Sequence, residues 1–125
     1  MRYTLRAAML IVTICVLRAA GPLLQQAPAK AQSKGNPYAG DNAAVRAGEK
    51  LYRNTCASCH GKAGEGIGTR PPLASRAVAE ASPGAVEWAI RSGSLRRGMP
   101  SFSHLPEAQR WQIAAYLKQL SEPRD

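Results

Sequence analysis

Between residues 54 and 66 the sequence reads NTCASCHGKAGEG, and Cys56, Cys59 and His60 stand in it at positions i, i+3 and i+4. On a helical turn those positions share one face. Two thiols and an imidazole there can serve three chemistries: half of a structural zinc site, a redox disulfide, or the attachment of a haem. Structural zinc takes four ligands, commonly a Cys-x-x-Cys paired with a His-x-x-x-His. Beyond residue 31 the chain holds only Cys56, Cys59, His60 and His104 of these types. Drawing three ligands from five consecutive residues is strained. A thioredoxin-type pair belongs beside a strand in a βαβ unit, and no stretch here alternates convincingly enough to be a strand. Cys-x-x-Cys-His is also the order of a c-type haem site. In that reading the thiols add to the two haem vinyl groups, and the adjacent imidazole reaches the iron.

An iron held by His60 has one further axial position, and the neutral donors left for it are Met99 and His104. Met99 lies in RRGMPSF, a glycine- and proline-containing loop 39 residues after His60, away from helical core spacing. It is the only methionine beyond residue 31. His104 stands near a helix start, where a lone histidine usually serves at the surface or as a cap. Met99 is therefore the expected ligand.

The chain that must position these groups has 125 residues, a one-domain length. Arg2 and Arg6 precede an apolar run at residues 7 to 17, and Ala29-Lys30-Ala31 fits a small-x-small cleavage site. This is the layout of a secretory signal peptide over 1–31. A membrane span needs about 20 apolar residues, and Arg18 ends this run early; an uncleaved anchor is the alternative. The expected location is periplasmic or otherwise exported, with a membrane tether only if the N-terminus is kept. A cut after Ala31 removes Cys15 and leaves 94 residues with 13 Lys and Arg against 8 Asp and Glu. An exported chain with no patterned basic helix does not point to nucleic acid. Large side chains are few: Phe102 is the only phenylalanine and there are two tryptophans. A small domain with so little bulk needs something else in its middle, and a haem would supply it. Covalent attachment suits export as well, because a loose haem would be lost by dilution.

The elements read as all-α. Residues 32–40 form a short flexible lead, and 41–121 form the domain. Asp41 or Asn42 caps a helix running to about Cys56, with Gly48 inside it at some cost in propensity. Residues 61–72 hold four glycines and two prolines and must be loop. A short helix is expected around residues 73–79. Ser82 before Pro83 is an N-cap with proline at the first helical position, opening a helix that ends near Gly93. After a loop, Pro106 and Glu107 open the last helix, which runs to about Leu120. Along it Trp111, Ala114, Ala115 and Leu117 share a buried face, with Ile113, Tyr116 and Leu120 beside them.

Three motifs then line up together: Cys56-Ala57-Ser58-Cys59-His60, Pro71-Pro72-Leu73 and Gly98-Met99-Pro100. Over residues 41–121 the chain resembles the class I c-type cytochromes, small monohaem electron carriers. The resemblance implies a compact cytochrome c fold whose N- and C-terminal helices cross, with Gly48 and Tyr52 meeting the last helix at Ile113 and Tyr116 and the haem in the core. It implies one covalent haem c, His60 as the proximal iron ligand and Met99 as the distal one. It makes the Pro71 carbonyl the acceptor for the His60 ring N–H, Pro72 being the alternative. Pro106 stands where the family usually has a serine or aspartate cap. An iron with both axial positions filled has no place for substrate, so electron transfer is expected rather than catalysis. The expected partners are redox proteins with an acidic docking surface, met through Arg96 and Arg97 beside the Met99 loop. The alternatives are a dedicated subunit of a periplasmic dehydrogenase or membrane oxidase, and an open-site haem sensor or enzyme.

Overall fold

Helix α2, Asn42–Thr55, begins where Asp41 accepts hydrogen bonds from the Ala43 and Ala44 N–H groups at 2.8 and 3.1 Å. The cap satisfies donors that the first turn leaves without partners. The structure, a computed structural model, describes residues 23–123. Before α2 come a 3₁₀ turn, Leu23–Gln26, and the short helix α1, Ala29–Gln32. After it come α3, Ala57–His60; α4, Arg76–Glu80; α5, Pro83–Ser92; a 3₁₀ turn, Leu95–Arg97; and α6, Glu107–Ser121. The described residues contain no strand beyond two isolated bridges, Ile67 with Arg70 and Ser94 with Met99.

The frame is the crossing of α2 over α6. A Cβ on Gly48 would lie 2.0 Å from the Gln112 carbonyl oxygen, so only glycine lets the two backbones touch there. This explains why a residue that weakens helices sits mid-helix. One turn on, Tyr52 and Ile113 are fully buried, each contributing about 1.5–3 kcal/mol through burial. The Tyr52 and Tyr116 rings meet at 5.3 Å and 56°. Helix α5 lies against the same core through Val86 and Ile90, beside Trp111, Ala114 and Leu117 of α6. Ser82 caps α5 by accepting from the Ala85 N–H at 3.1 Å. Helix α4 starts at its Ser75 cap, later than residue 73, because the Leu73 and Ala74 N–H groups both donate to the Gly64 carbonyl. Pro106 makes no side-chain cap; Glu107 instead accepts from the Trp111 indole at 3.2 Å.

A buried ion pair joins α5 to α6. Arg110 Nε donates to Glu87 Oε1 at 2.7 Å, with side-chain exposures of 9% and 6%. Arg110 Nη1 also donates to the Leu105 carbonyl.

The apolar run expected as the core of a signal lies outside the described residues. Residues 23–40 pack against the domain. Ala27 and Ala31 form a small cluster with Ala85 and Trp88, and the Ala31 carbonyl lies against Gly84. The lead at 32–40 is held at Asn36, which donates to the Trp111 carbonyl at 2.9 Å, and at Tyr38, which packs on the main core. No described helix is long and apolar enough to cross a membrane.

Candidate functional site

Helix α2 hands over directly to the Cys-x-x-Cys-His turn. Cys56 N–H donates to the Tyr52 carbonyl at 2.8 Å, and His60 N–H donates to the Cys56 carbonyl at 2.9 Å. Cys56, Cys59 and His60 therefore lie on one turn, anchored to the helix that crosses α6. Both cysteines are free thiols, Cys56 buried and Cys59 half-buried. Burial pushes the Cys56 thiol up to about 11, and Cys59 beside it adds to the shift. At neutral pH Cys56 in the folded chain is thus a thiol and a poor nucleophile.

The turn is closed from both sides. The buried Tyr52 hydroxyl donates to the Gly61 carbonyl at 2.6 Å, just past the end of α3. Burial pushes this phenol up to about 12. His60 is buried, and its Nδ1 lies 2.8 Å from the Pro71 carbonyl oxygen. A carbonyl can only accept, so Nδ1 carries a proton, and in the neutral ring the lone pair is on Nε2. Pro71, not Pro72, makes this contact.

The loop after His60 places Pro71. Gly66 N–H donates to the His60 carbonyl at 2.8 Å, and Ile67 and Arg70 bond to each other across a tight turn. Gly66 has φ +83°, and a Cβ on it would lie 2.9 Å from both the Arg70 carbonyl oxygen and the Pro72 nitrogen. Glycine is required there for backbone conformation and for space.

Met99 is half-buried in the loop after α5. Ser94 and Met99 exchange two backbone hydrogen bonds, at 2.9 and 3.0 Å, and Gly98 turns the chain between them at φ +79°. Arg96 is exposed on the 3₁₀ turn before Met99, with Leu95 84% exposed beside it. His104 is exposed, its ring tilted against Phe102 at 6.0 Å. Among the described residues no three His, Cys, Asp or Glu side chains converge to hold a metal ion. Sequence reasoning missed the Tyr52 bond to Gly61 and the Glu87–Arg110 pair. The first had a signal, an aromatic four residues before Cys56; the second had none, because its members are 23 positions apart on exposed-looking helices.

Residues 43–117 match the family model described as cytochrome c oxidase, cbb3-type, subunit III. The chain belongs to this family of c-type cytochromes. A solved structure, cytochrome CL from the marine methylotrophic bacterium Methylophaga aminisulfidivorans MPT, is similar with a TM-score of 0.60 and 27% identity over 68% of the chain. The chain spans 58% of the length of that structure. No curated protein matches the chain significantly.

Membership of this family implies a covalently bound haem c with iron. The residues present fit the group. Two unpaired thiols stand on the turn that ends in His60. The imidazole has one nitrogen occupied by Pro71 and the other free to donate to a metal. As the resemblance implied, the fold is the helical cytochrome c fold with crossing terminal helices.

Proposed function

We propose that Cys56 and Cys59 would hold the haem through two thioethers, that His60 Nε2 and the Met99 thioether would bind its iron, and that the chain carries one electron between exported redox proteins. The bound haem supplies the ferric–ferrous couple. The observation that carries the ligand assignment is the His60 Nδ1 bond to the Pro71 carbonyl at 2.8 Å. It fixes the tautomer, holds the ring plane and makes Nε2 a better donor. Thioether ligation at the other position favours ferrous iron and raises the potential. With His60 and Met99 both bound, the metal would have no place for substrate, which supports a carrier rather than an enzyme. The basic balance of the chain supports docking on acidic partners, with Arg96 and Arg97 on the turn just before Met99. Export, to the periplasm or an equivalent compartment, is supported by the charged and apolar pattern of the first residues.

A second reading, a fixed subunit of a larger oxidase or dehydrogenase, is favoured by the description of the matched family. Stable co-purification with membrane protein would select it; release without detergent selects the diffusible carrier.

The ligand set is tested on the holoprotein and two variants. The ferric wild type is expected to show the methionine–iron charge-transfer band and no carbon monoxide binding when reduced. Met99→Ala is expected to keep covalent haem, lose the band, bind carbon monoxide and fall in potential. Cys56→Ala with Cys59→Ala is expected to lose all haem staining on a denaturing gel. A Met99→Ala spectrum equal to wild type excludes Met99, and staining of the double variant excludes attachment at this turn.

A further inference from the structure

The loop that carries Met99 leaves α5 at Gly93 and enters α6 after Pro106. Its first limb closes on itself through the Ser94–Met99 bridge. Its second limb is fastened elsewhere. Ser101 Oγ donates to the Arg91 carbonyl at 2.7 Å and accepts from the Ser103 N–H at 3.2 Å. Phe102 N–H donates to the Ile90 carbonyl at 3.1 Å. Both ties answer a need of α5, whose last carbonyls have no partner within the helix.

The Arg91 carbonyl is a fixed point. Helix α5 is bolted to α6 by the Glu87–Arg110 pair, and Arg91 itself lies with its Nε 3.8 Å from Glu87 Oε1. The far end of the limb is held separately, by Arg110 on the Leu105 carbonyl. Between these anchors, among the described residues, the Ser101 hydroxyl ties the limb to the Arg91 carbonyl two residues after Met99.

We propose that Ser101 is a positioning residue for Met99: its bond to the Arg91 carbonyl sets the height of the loop over the site and keeps the thioether on the iron. The proposal rests on Met99 ligation as assigned above. Ser101 touches neither haem nor thioether in this scheme; it acts through Pro100. Alanine at 101 leaves the Arg91 carbonyl to water and frees the limb to lift, while Phe102 and Leu105 keep the loop folded. Ser101 is exposed, so its bond competes with water and contributes at the low end for a hydrogen bond.

The test uses the holoprotein with Ser101→Ala and Ser101→Thr, and imidazole as the competing ligand for ferric iron. Exogenous imidazole binds only iron that Met99 has left, so its apparent Kd reports the released fraction. Ser101→Ala is expected to lower that Kd about threefold. Ser101→Thr, which keeps the hydroxyl, is expected to return it to the wild-type value. The urea midpoint of each protein separates this from general weakening, since a purely structural role moves the midpoint and leaves the imidazole Kd in place. An unchanged Kd in Ser101→Ala, or an equal drop in both variants, overturns the proposal. A wild type without the methionine–iron band overturns Met99 ligation itself and this proposal with it; a wild type with the band and an unaffected alanine variant overturns only the role of Ser101.

Discussion

Tyr52 donates from a fully buried hydroxyl to the Gly61 carbonyl, and it forms the floor of the crossing with α6. Removing the hydroxyl in Tyr52→Phe leaves that carbonyl without its partner and is expected to cost about 1–2 kcal/mol at neutral pH. The same residue sets a pH dependence. In the unfolded chain the phenol ionises near 10.0, while in the folded protein it keeps its proton to about 12. Across that interval the unfolded state binds fewer protons than the folded one, so stability falls as pH rises. Below the interval both states are protonated and the slope vanishes. Urea unfolding of wild type and Tyr52→Phe at a series of alkaline pH values isolates the effect. The gap between the two proteins is expected to narrow from about pH 10 upward, and a constant gap would remove Tyr52 as its source. The Cys-x-x-Cys-His turn was legible in the sequence because its chemistry is local, and Met99 stood out as a candidate because methionine is scarce. The Glu87–Arg110 pair was not, since charges on a helix normally face water and nothing in either helix alone says that they meet.

Two helices were legible from their caps, Asp41 and Ser82 with Pro83, and α6 from Pro106 with an acid in the first turn; each mark has a local cause. The start of α4 was not, because it depends on Leu73 and Ala74 bonding back to Gly64. Residues 23–31 fall within the stretch that reads as an export signal in the sequence. Its small residues support both readings: alanines suit a cleavage site, and Ala27 and Ala31 also suit close packing on Ala85. Leu24 adds a larger apolar side chain against the main core. A chain starting at Gln32 is therefore expected to be less stable than one starting at Leu23, by about 2 kcal/mol from the lost burial. For a domain of this size that is a fall of about 10 °C in Tm. Scanning calorimetry of the two holoproteins measures it, and equal midpoints would mean that the segment only rests on α5 without stabilising it.

At the scale of the whole molecule the charge balance is the lever. Arg96 and Arg97 precede the Met99 loop, and the exposed Leu95 lies beside them. Arg96→Glu with Arg97→Glu is expected to slow electron transfer to an acidic partner while leaving the haem spectrum unchanged. Steered association is strongest at low salt, and at about 0.15 M the screening length is about 8 Å. The defect should shrink as salt rises, and stopped-flow rates across a salt series test this; equal low-salt rates for both proteins would rule the patch out. The crossing of α2 over α6 also has a bearing on timing. Gly48 meets Gln112, so the contact joins the first long helix to the last. A chain made from its N-terminus presents the Cys-x-x-Cys-His turn long before α6 exists. The cluster that encloses Cys56 is completed by Trp111, Ile113, Ala114 and Leu117, all on α6. During synthesis both thiols are therefore open to solvent, and the arrival of the C-terminal helix shuts Cys56 away. Attachment chemistry has a window that opens with the birth of the turn and closes with the end of the chain.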